Sequence, residues 1–185
     1  MQDTVVFSFC RMQPPTAGHE KLVNKVISVA KEHNADHVLF LSQSVKPGSD
    51  PLDWDDKKEI VRSFFPGVNI SNDKAARTPF EALEILGKSY SKIILVVGGD
   101  RVKVFKKQTA IYLERWGIKE FSVVNAGDRN DAADGIGGVS ATNARNAIME
   151  QNYDKFVINM PASVSKQKIR KLYKKLNKEL HSESR

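Results

Sequence analysis

Residues 4–19 read Thr-Val-Val-Phe-Ser-Phe-Cys-Arg-Met-Gln-Pro-Pro-Thr-Ala-Gly-His. The first seven are β-branched or aromatic in the main, and Pro14-Pro15 closes the run soon after, the pattern of a short buried strand passing into a loop. Over residues 18–33 the apolar side chains Leu22, Val23, Val26, Ile27 and Ala30 recur at the spacing of one helix face. A strand, a short loop and a helix in direct succession is the opening unit of an alternating α/β chain.

The pattern continues outward from this unit. Residues 37–42 form a second apolar run, followed by a loop over 44–52 rich in Pro, Gly and Asp. Asp53 can cap a helix reaching residue 65, with Ile60, Val61, Phe64 and Phe65 turned inward. Thr78-Pro79-Phe80-Glu81 joins an N-cap, a first-turn proline and a glutamate three residues on, so a further helix should run to about residue 90. Lys-Ile-Ile-Leu-Val-Val at 92–97 reads as a strand ending in Gly98-Gly99-Asp100, and residues 120–125 supply a weaker strand ending at Asn125. Helices should begin near Ser140 and near Ser163.

The expected fold is therefore α/β. It is a Rossmann-like doubly wound parallel sheet in a single domain over residues 1–185, with C-terminal helices and ligands at the carboxyl ends of the strands. The stretch 127–138, rich in Asp, Asn and Gly, is a long loop of the kind that often serves function.

With 185 residues and 41% hydrophobic content, the chain can bury one substantial core. No apolar stretch approaches the roughly 18 residues of a membrane span, and the first residues lead straight into the strand rather than a signal sequence. A cytoplasmic protein without membrane contact is expected. Cys10 has no second cysteine to pair with and reads as a small hydrophobe. The net charge of +7 is concentrated at one end, with nine Lys or Arg from Lys155 onward against Glu179 and Glu183. The basic helix expected over about 163–180 carries an apolar stripe of Ile169, Leu172, Tyr173, Leu176 and Leu180, so its lysines read as a solvated face and no nucleic-acid partner is expected.

Two segments carry chemistry. In residues 11–19, a helix N-terminus offers N–H donors and the positive end of a dipole to an anion. Gly18 lets backbone approach a phosphate, Thr16 and His19 add side-chain donors, and Arg11 adds a two-pronged cation. In residues 137–145, Gly137-Gly138 precede Ser140, a candidate N-cap. Thr142 and Arg145 then share one helix face. The dipole disfavours an arginine in a first turn, and a bound phosphate resolves that conflict.

These segments resemble the two signature motifs of the nucleotidyltransferase superfamily that includes nicotinamide-mononucleotide and pantetheine-phosphate adenylyltransferases and glycerol-phosphate cytidylyltransferases. One motif there is His-x-Gly-His or Thr-x-Gly-His after the first strand, often preceded by Gly-Arg-Phe-x-Pro; the other is Ile-Ser-Ser/Thr-Thr-x-x-Arg at a late helix start. Here they stand as Cys10-Arg11-Met12-Gln13-Pro14 with Thr16 to His19, and as Val139-Ser140-Ala141-Thr142-Asn143-Ala144-Arg145. Cys10 replaces the usual glycine and Met12 the usual phenylalanine. Gly98-Gly99-Asp100 resembles the Gly-x-Asp of the adenylyltransferases, and Lys46 with Pro51-Leu52 and Arg62 resembles their basic loop and following helix. Ser163 to Arg170 looks like the second motif only superficially.

The resemblance implies attack by an acceptor oxygen on the α-phosphorus of ATP or CTP, with pyrophosphate leaving. Thr16, His19, Arg11 and Arg145 would be catalytic. Met12, Gln13, Gly18, Lys46, Asp100, Ser140 and Thr142 would bind the nucleotide, and Mg²⁺ would arrive with the triphosphate. The partners implied are the nucleoside triphosphate and a small phosphate-bearing acceptor, with ATP ahead of CTP and nicotinamide mononucleotide the first choice of acceptor; homo-oligomerisation is left open. Trp54 and Trp116 are candidates to stack a base, against the plainer reading of helix packing. The alternatives are a nucleic-acid-binding protein using the basic C-terminal helix, or a nucleotide binder without catalysis.

Overall fold

The computed structural model describes residues 3–109, 112–127 and 139–182. The Gly137-Gly138 pair and the loop from residue 128 onward lie outside the described residues. Four strands, β1 (Thr4–Cys10), β2 (Asp36–Leu41), β3 (Lys92–Val97) and β4 (Glu120–Asn125), form one parallel sheet in the order β2-β1-β3-β4. β1 pairs with β2 from Val5↔Asp36 to Cys10↔Leu41 and with β3 from Thr4↔Lys92 to Phe7↔Leu95.

Parallel neighbours need crossover connections, and helices supply them. α1 (Ala17–Glu32) joins β1 to β2, α2 (Trp54–Phe64) and α3 (Pro79–Gly87) lie between β2 and β3, and α4 (Val102–Thr109) lies between β3 and β4. α5 (Ala141–Met149), α6 (Tyr153–Ile158) and α7 (Lys166–Ser182) follow the last strand. The chain steps from β1 outward to β2, then crosses back to β3 on the other side. That reversal is the switch point of a doubly wound sheet, as the sequence led us to expect.

Internal contacts divide the chain into two compact units. One comprises Met1–Cys10, Lys21–Ser42 and Gly67–Arg129, and it holds the sheet, the body of α1, α3 and α4. Its strands are apolar on both faces because helices cover both. Val5, Phe7, Ile93 and Leu95 pack with Ala82, Leu83 and Leu86 of α3 and Phe105 of α4, while Val6, Ile94 and Val96 pack with Val26, Val29 and Ala30 of α1. α3 stops at Gly87, earlier than its apolar pattern suggests. A Cβ on Gly87 would overlap the backbone carbonyl of Trp116, so the close approach of those two segments demands glycine. Cys10 is buried at the end of β1, and burial pushes its thiol up to about 11, against the opposing pull of the Ser8 hydroxyl 3.6 Å away.

The second unit comprises Arg11–Glu20, Gln43–Pro66 and Asn130–Arg185, and it holds the loop after β1, the first turn of α1, α2 and the three C-terminal helices. Ile169, Leu172, Leu176 and Leu180 of α7 are buried, and Tyr173 sets its ring edge-on to Tyr153 and Phe156 at 5.1 and 5.2 Å. Three α7 lysines reach α2: Lys175 to Asp56 at 2.6 Å, Lys171 to Glu59 at 3.6 Å, and Lys168 to the Ser63 carbonyl at 2.6 Å.

Three helix starts follow the caps read from sequence. Asp53 accepts the Asp56 N–H at 2.8 Å, Thr78 accepts that of Glu81 at 3.2 Å, and Ser140 accepts that of Asn143 at 3.0 Å. Two short helices, α4 and α6, were not expected; Asn152 caps the second by accepting the Lys155 N–H at 3.0 Å. α7 begins at Lys166 with Ser165 as its cap, while the Ser163 hydroxyl turns to the Glu20 carboxylate. Among the described residues no helix is long and apolar enough to cross a membrane.

Candidate functional site

The loop that leaves β1 is held from both sides. Gln13 is 1% exposed, and its amide donates to the Leu52 carbonyl at 2.7 Å while accepting the Leu52 N–H at 3.0 Å. Both polar ends of that side chain are thereby spent on backbone of the loop before α2. Met12 sits at φ +46°, in the left-handed region, with its side chain fully buried, so it offers backbone rather than side chain to the surroundings.

At the start of α1 the Thr16 N–H donates to His19 Nδ1 at 3.1 Å, with Thr16 Oγ1 3.0 Å from the same atom. An Nδ1 that accepts a backbone N–H carries no proton, so in the neutral ring the proton is on Nε2, which is then a donor. A Cβ built on Gly18 would meet only Thr16 Oγ1, at 3.8 Å, an ordinary contact. The chain's own packing therefore sets no need for glycine there.

The start of α5 belongs to the same unit. Ser140 caps it, and the Ser140 N–H donates to Asn159 Oδ1 at 3.0 Å; the Asn159 carbonyl accepts the Ala17 N–H at 3.0 Å. Arg145, one turn into α5, donates from Nη1 to the Gln13 carbonyl at 2.6 Å and from Nη2 to Thr142 Oγ1 at 3.3 Å. The two sequence segments, more than a hundred residues apart, are thus joined by Asn159 and by Arg145 directly.

Charge gathers beside them. Asp50, 2% exposed, accepts from Arg11 through Nη2 at 2.6 Å and Nε at 3.2 Å. Lys57 of α2 is fully buried; burial lowers its ammonium to about 8, Asp50 and Asp53 pull the value up, and Arg11 pushes it down. Burial and the neighbouring Arg11 also hold Arg145 below its ordinary value, with Asp50 opposing. Three cations, Arg11, Lys57 and Arg145, therefore act on the one buried carboxylate of Asp50, which leaves positive charge in excess beside two helix starts.

Of the residues expected from sequence, Arg11, Met12, Gln13, Thr16, Gly18, His19, Lys46, Ser140, Thr142 and Arg145 all lie in this unit. Lys46 is exposed, and its backbone forms an antiparallel bridge with Asp50 through bonds of 3.1 and 2.9 Å. Asp100 lies in the other unit, in a 3-10 turn over Gly99–Arg101 after β3. The two tryptophans also part: Trp54 carries the Lys58 ammonium 4.1 Å over its ring, and Trp116 stacks on Tyr112 at 5.1 Å. Asp50, Lys57 and Asn159 were missed. Only Lys57 left a signal, as a lysine standing four residues before Val61 on the buried stripe of α2. A cavity of about 190 Å³ lies elsewhere, between α2 and α7, and its charged rim is paired by the Lys175 and Lys171 bridges.

No protein-family model matches the sequence, and no curated protein matches it. Solved structures do. TmcAL of Thermotoga maritima, bound with alpha-thio ATP, superposes with a TM-score of 0.58 at 12% identity, over 95% of this chain and 56% of that one. A bifunctional NMN adenylyltransferase/ADP ribose pyrophosphatase of Francisella tularensis, complexed with AMP and a manganese ion, gives 0.54 at 17% identity over 100% and 53%. The fold is the Rossmann-like α/β fold of these two structures. A macrolide-efflux protein of Streptococcus pneumoniae superposes as well, at 0.51 and 18% identity over 87% and 66%. The chain spans only about half to two thirds of the length of these structures. What it has in common with them is architecture, on which function varies from site to site.

Proposed function

We propose that the chain is a nucleotidyltransferase that moves a nucleoside monophosphate from a nucleoside triphosphate to a small phosphate-bearing acceptor, releasing pyrophosphate. The observation that carries this reading is the excess of positive charge about Asp50, set beside two helix N-termini that one residue ties together. A polyphosphate is the anion such a place accommodates, since helix starts, guanidinium groups and an imidazole Nε2–H all donate to phosphate oxygens. Gly18 supports it too, because a glycine the protein itself does not require is one a ligand can approach.

In-line displacement at phosphorus asks for placement and charge stabilisation rather than a covalent nucleophile. Thr16 and His19 would steady charge developing at the α-phosphate and the bridging oxygen. Arg145, Ser140 and Thr142 would hold the outer phosphates, with Arg11 and Lys46 assisting. AMP is favoured over CMP as the group transferred, and nicotinamide mononucleotide is the first acceptor to try. The Francisella neighbour carries both a nucleotide and a divalent cation. In this reading the divalent ion, Mg²⁺ first, arrives on the triphosphate.

The test is a matrix of ATP and CTP against nicotinamide mononucleotide, phosphopantetheine and glycerol phosphate, read as pyrophosphate release with Mg²⁺. One productive pair establishes the activity. Nucleotide binding without pyrophosphate from any pair points to a binder that lacks catalysis, and neither binding nor release sinks the proposal.

A further inference from the structure

Lys57 occupies a place its chemistry does not suit. On α2 the residues Lys57, Val61 and Phe64 are buried along one face, and a stripe of that kind normally places an apolar side chain at the first position. A buried ammonium is costly unless carboxylates stand by it. Here two do: Asp50 from the loop before α2, and Asp53, the cap of the same helix. The cations facing the group are Arg11 from the loop after β1 and, through Asp50 and Arg11, Arg145 of α5.

Asp50 thus links an interior cation to an outer one. Its side chain is 3% exposed and that of Arg11 is 58% exposed. A buried carboxylate paired mainly with a solvent-facing guanidinium is costly, and a buried cation beside it offsets that cost. Lys57 brings a further positive charge to the buried carboxylate that already accepts from Arg11.

Building on the proposed phosphate site, we infer that Lys57 is a positioning residue: through Asp50 it fixes the Arg11 guanidinium at the phosphate site.

The measurement is carbon-detected NMR of arginine Cζ and Nε in the full chain without nucleotide, with Arg11 assigned by its loss in Arg11→Lys. In the unaltered protein the Arg11 signal should show one transition near pH 8, as Lys57 loses its proton. Lys57→Met should abolish that transition and speed Arg11 Hε exchange about tenfold; Lys57→Arg should restore slow exchange, still without the transition. An Arg11 signal in Lys57→Met that matches the unaltered protein in shift, exchange and pH profile overturns the inference. Should Lys57→Met not fold, the titration of the unaltered protein decides alone, and a flat Arg11 profile from pH 7 to 9.5 overturns it. A separate arm measures MgATP affinity, expected to weaken about tenfold in Lys57→Met and recover in Lys57→Arg. Absence of nucleotide binding in the unaltered protein counts against the proposed function, while the Arg11 signal still decides the role of Lys57.

Discussion

Ser140 donates its backbone N–H to the side-chain oxygen of Asn159 at 3.0 Å, and the carbonyl of that same asparagine accepts the Ala17 N–H at the first turn of α1. Asn159 is 4% exposed, and its amide nitrogen donates back to Lys155 at 2.9 Å within its own segment. Truncation in Asn159→Ala leaves the half-buried Ser140 N–H without its acceptor, and a stranded donor costs about 1–3 kcal/mol when fully buried, so the lower end applies. We expect a loss of stability of that order in denaturant unfolding, together with a rise in KM for the triphosphate that exceeds the fall in kcat. Unchanged stability and KM would show that the α5 start holds without this bond.

Arg145 and His19 are expected to act on the triphosphate, and the fold is expected to form without either side chain. His19→Ala and Arg145→Ala should each lower turnover by about a hundredfold or more while leaving the far-ultraviolet circular dichroism as it was. Near-normal turnover in both would refute their assigned roles. Arg145→Lys should recover little, because one ammonium cannot serve the Gln13 carbonyl, the Thr142 hydroxyl and a phosphate with the guanidinium's planar fork.

Gly18→Ala separates ligand from fold. The added methyl meets only Thr16 Oγ1 at an ordinary distance, so the melting temperature should stay within a degree or two or rise slightly. Nucleotide affinity should drop about tenfold, since a Cβ then stands where backbone meets phosphate. A variant that binds as tightly as the parent would mean that no ligand approaches this turn.

Lys57 gives stability a defined pH dependence. Its folded value of about 8 lies below the 10.5 of an exposed lysine, so between those values the unfolded chain binds more protons than the folded one. Stability should therefore carry the full penalty below pH 8 and rise with pH from 8 to 10.5, by roughly 3 kcal/mol at most from this group. Denaturant unfolding at pH 7.5, 8.5 and 9.5 checks this against Lys57→Met, in which that rise should vanish. A rise of equal size in the variant would assign it to other groups.

Cys10 should be chemically quiet. With the thiol pushed up to about 11 and packed at the end of β1, thiolate is scarce at neutral pH. A disulfide reagent at pH 7.5 should label the native chain at least a hundredfold more slowly than the chain in denaturant; comparable rates would contradict its burial.

All four strands and the starts of α2, α3 and α5 were legible in the sequence because their causes are local. A parallel strand covered on both faces is an unbroken apolar run, and Asp53, Thr78 and Ser140 cap helices through bonds to residues three positions on. α4 and α6 escaped for the same reason in reverse. Val102–Thr109 carries three lysines in eight residues, and Tyr153–Ile158 is too short for periodicity to register.

The phosphate-site reading divides along the same line. The Thr-x-Gly-His turn and the Ser-x-Thr-x-x-Arg helix start are local strings, and the sequence alone named them, along with Arg11 and Lys46. What it determined was therefore the type of sheet and the starts of α2, α3 and α5. Asp50 and Asn159 act through partners far along the chain: Arg11 lies 39 residues from Asp50, and Ser140 lies 19 from Asn159. No composition or period encodes such pairings. Only the tertiary structure decided that a lysine on an apolar stripe faces a carboxylate, because burial and charge are properties of what the fold brings near.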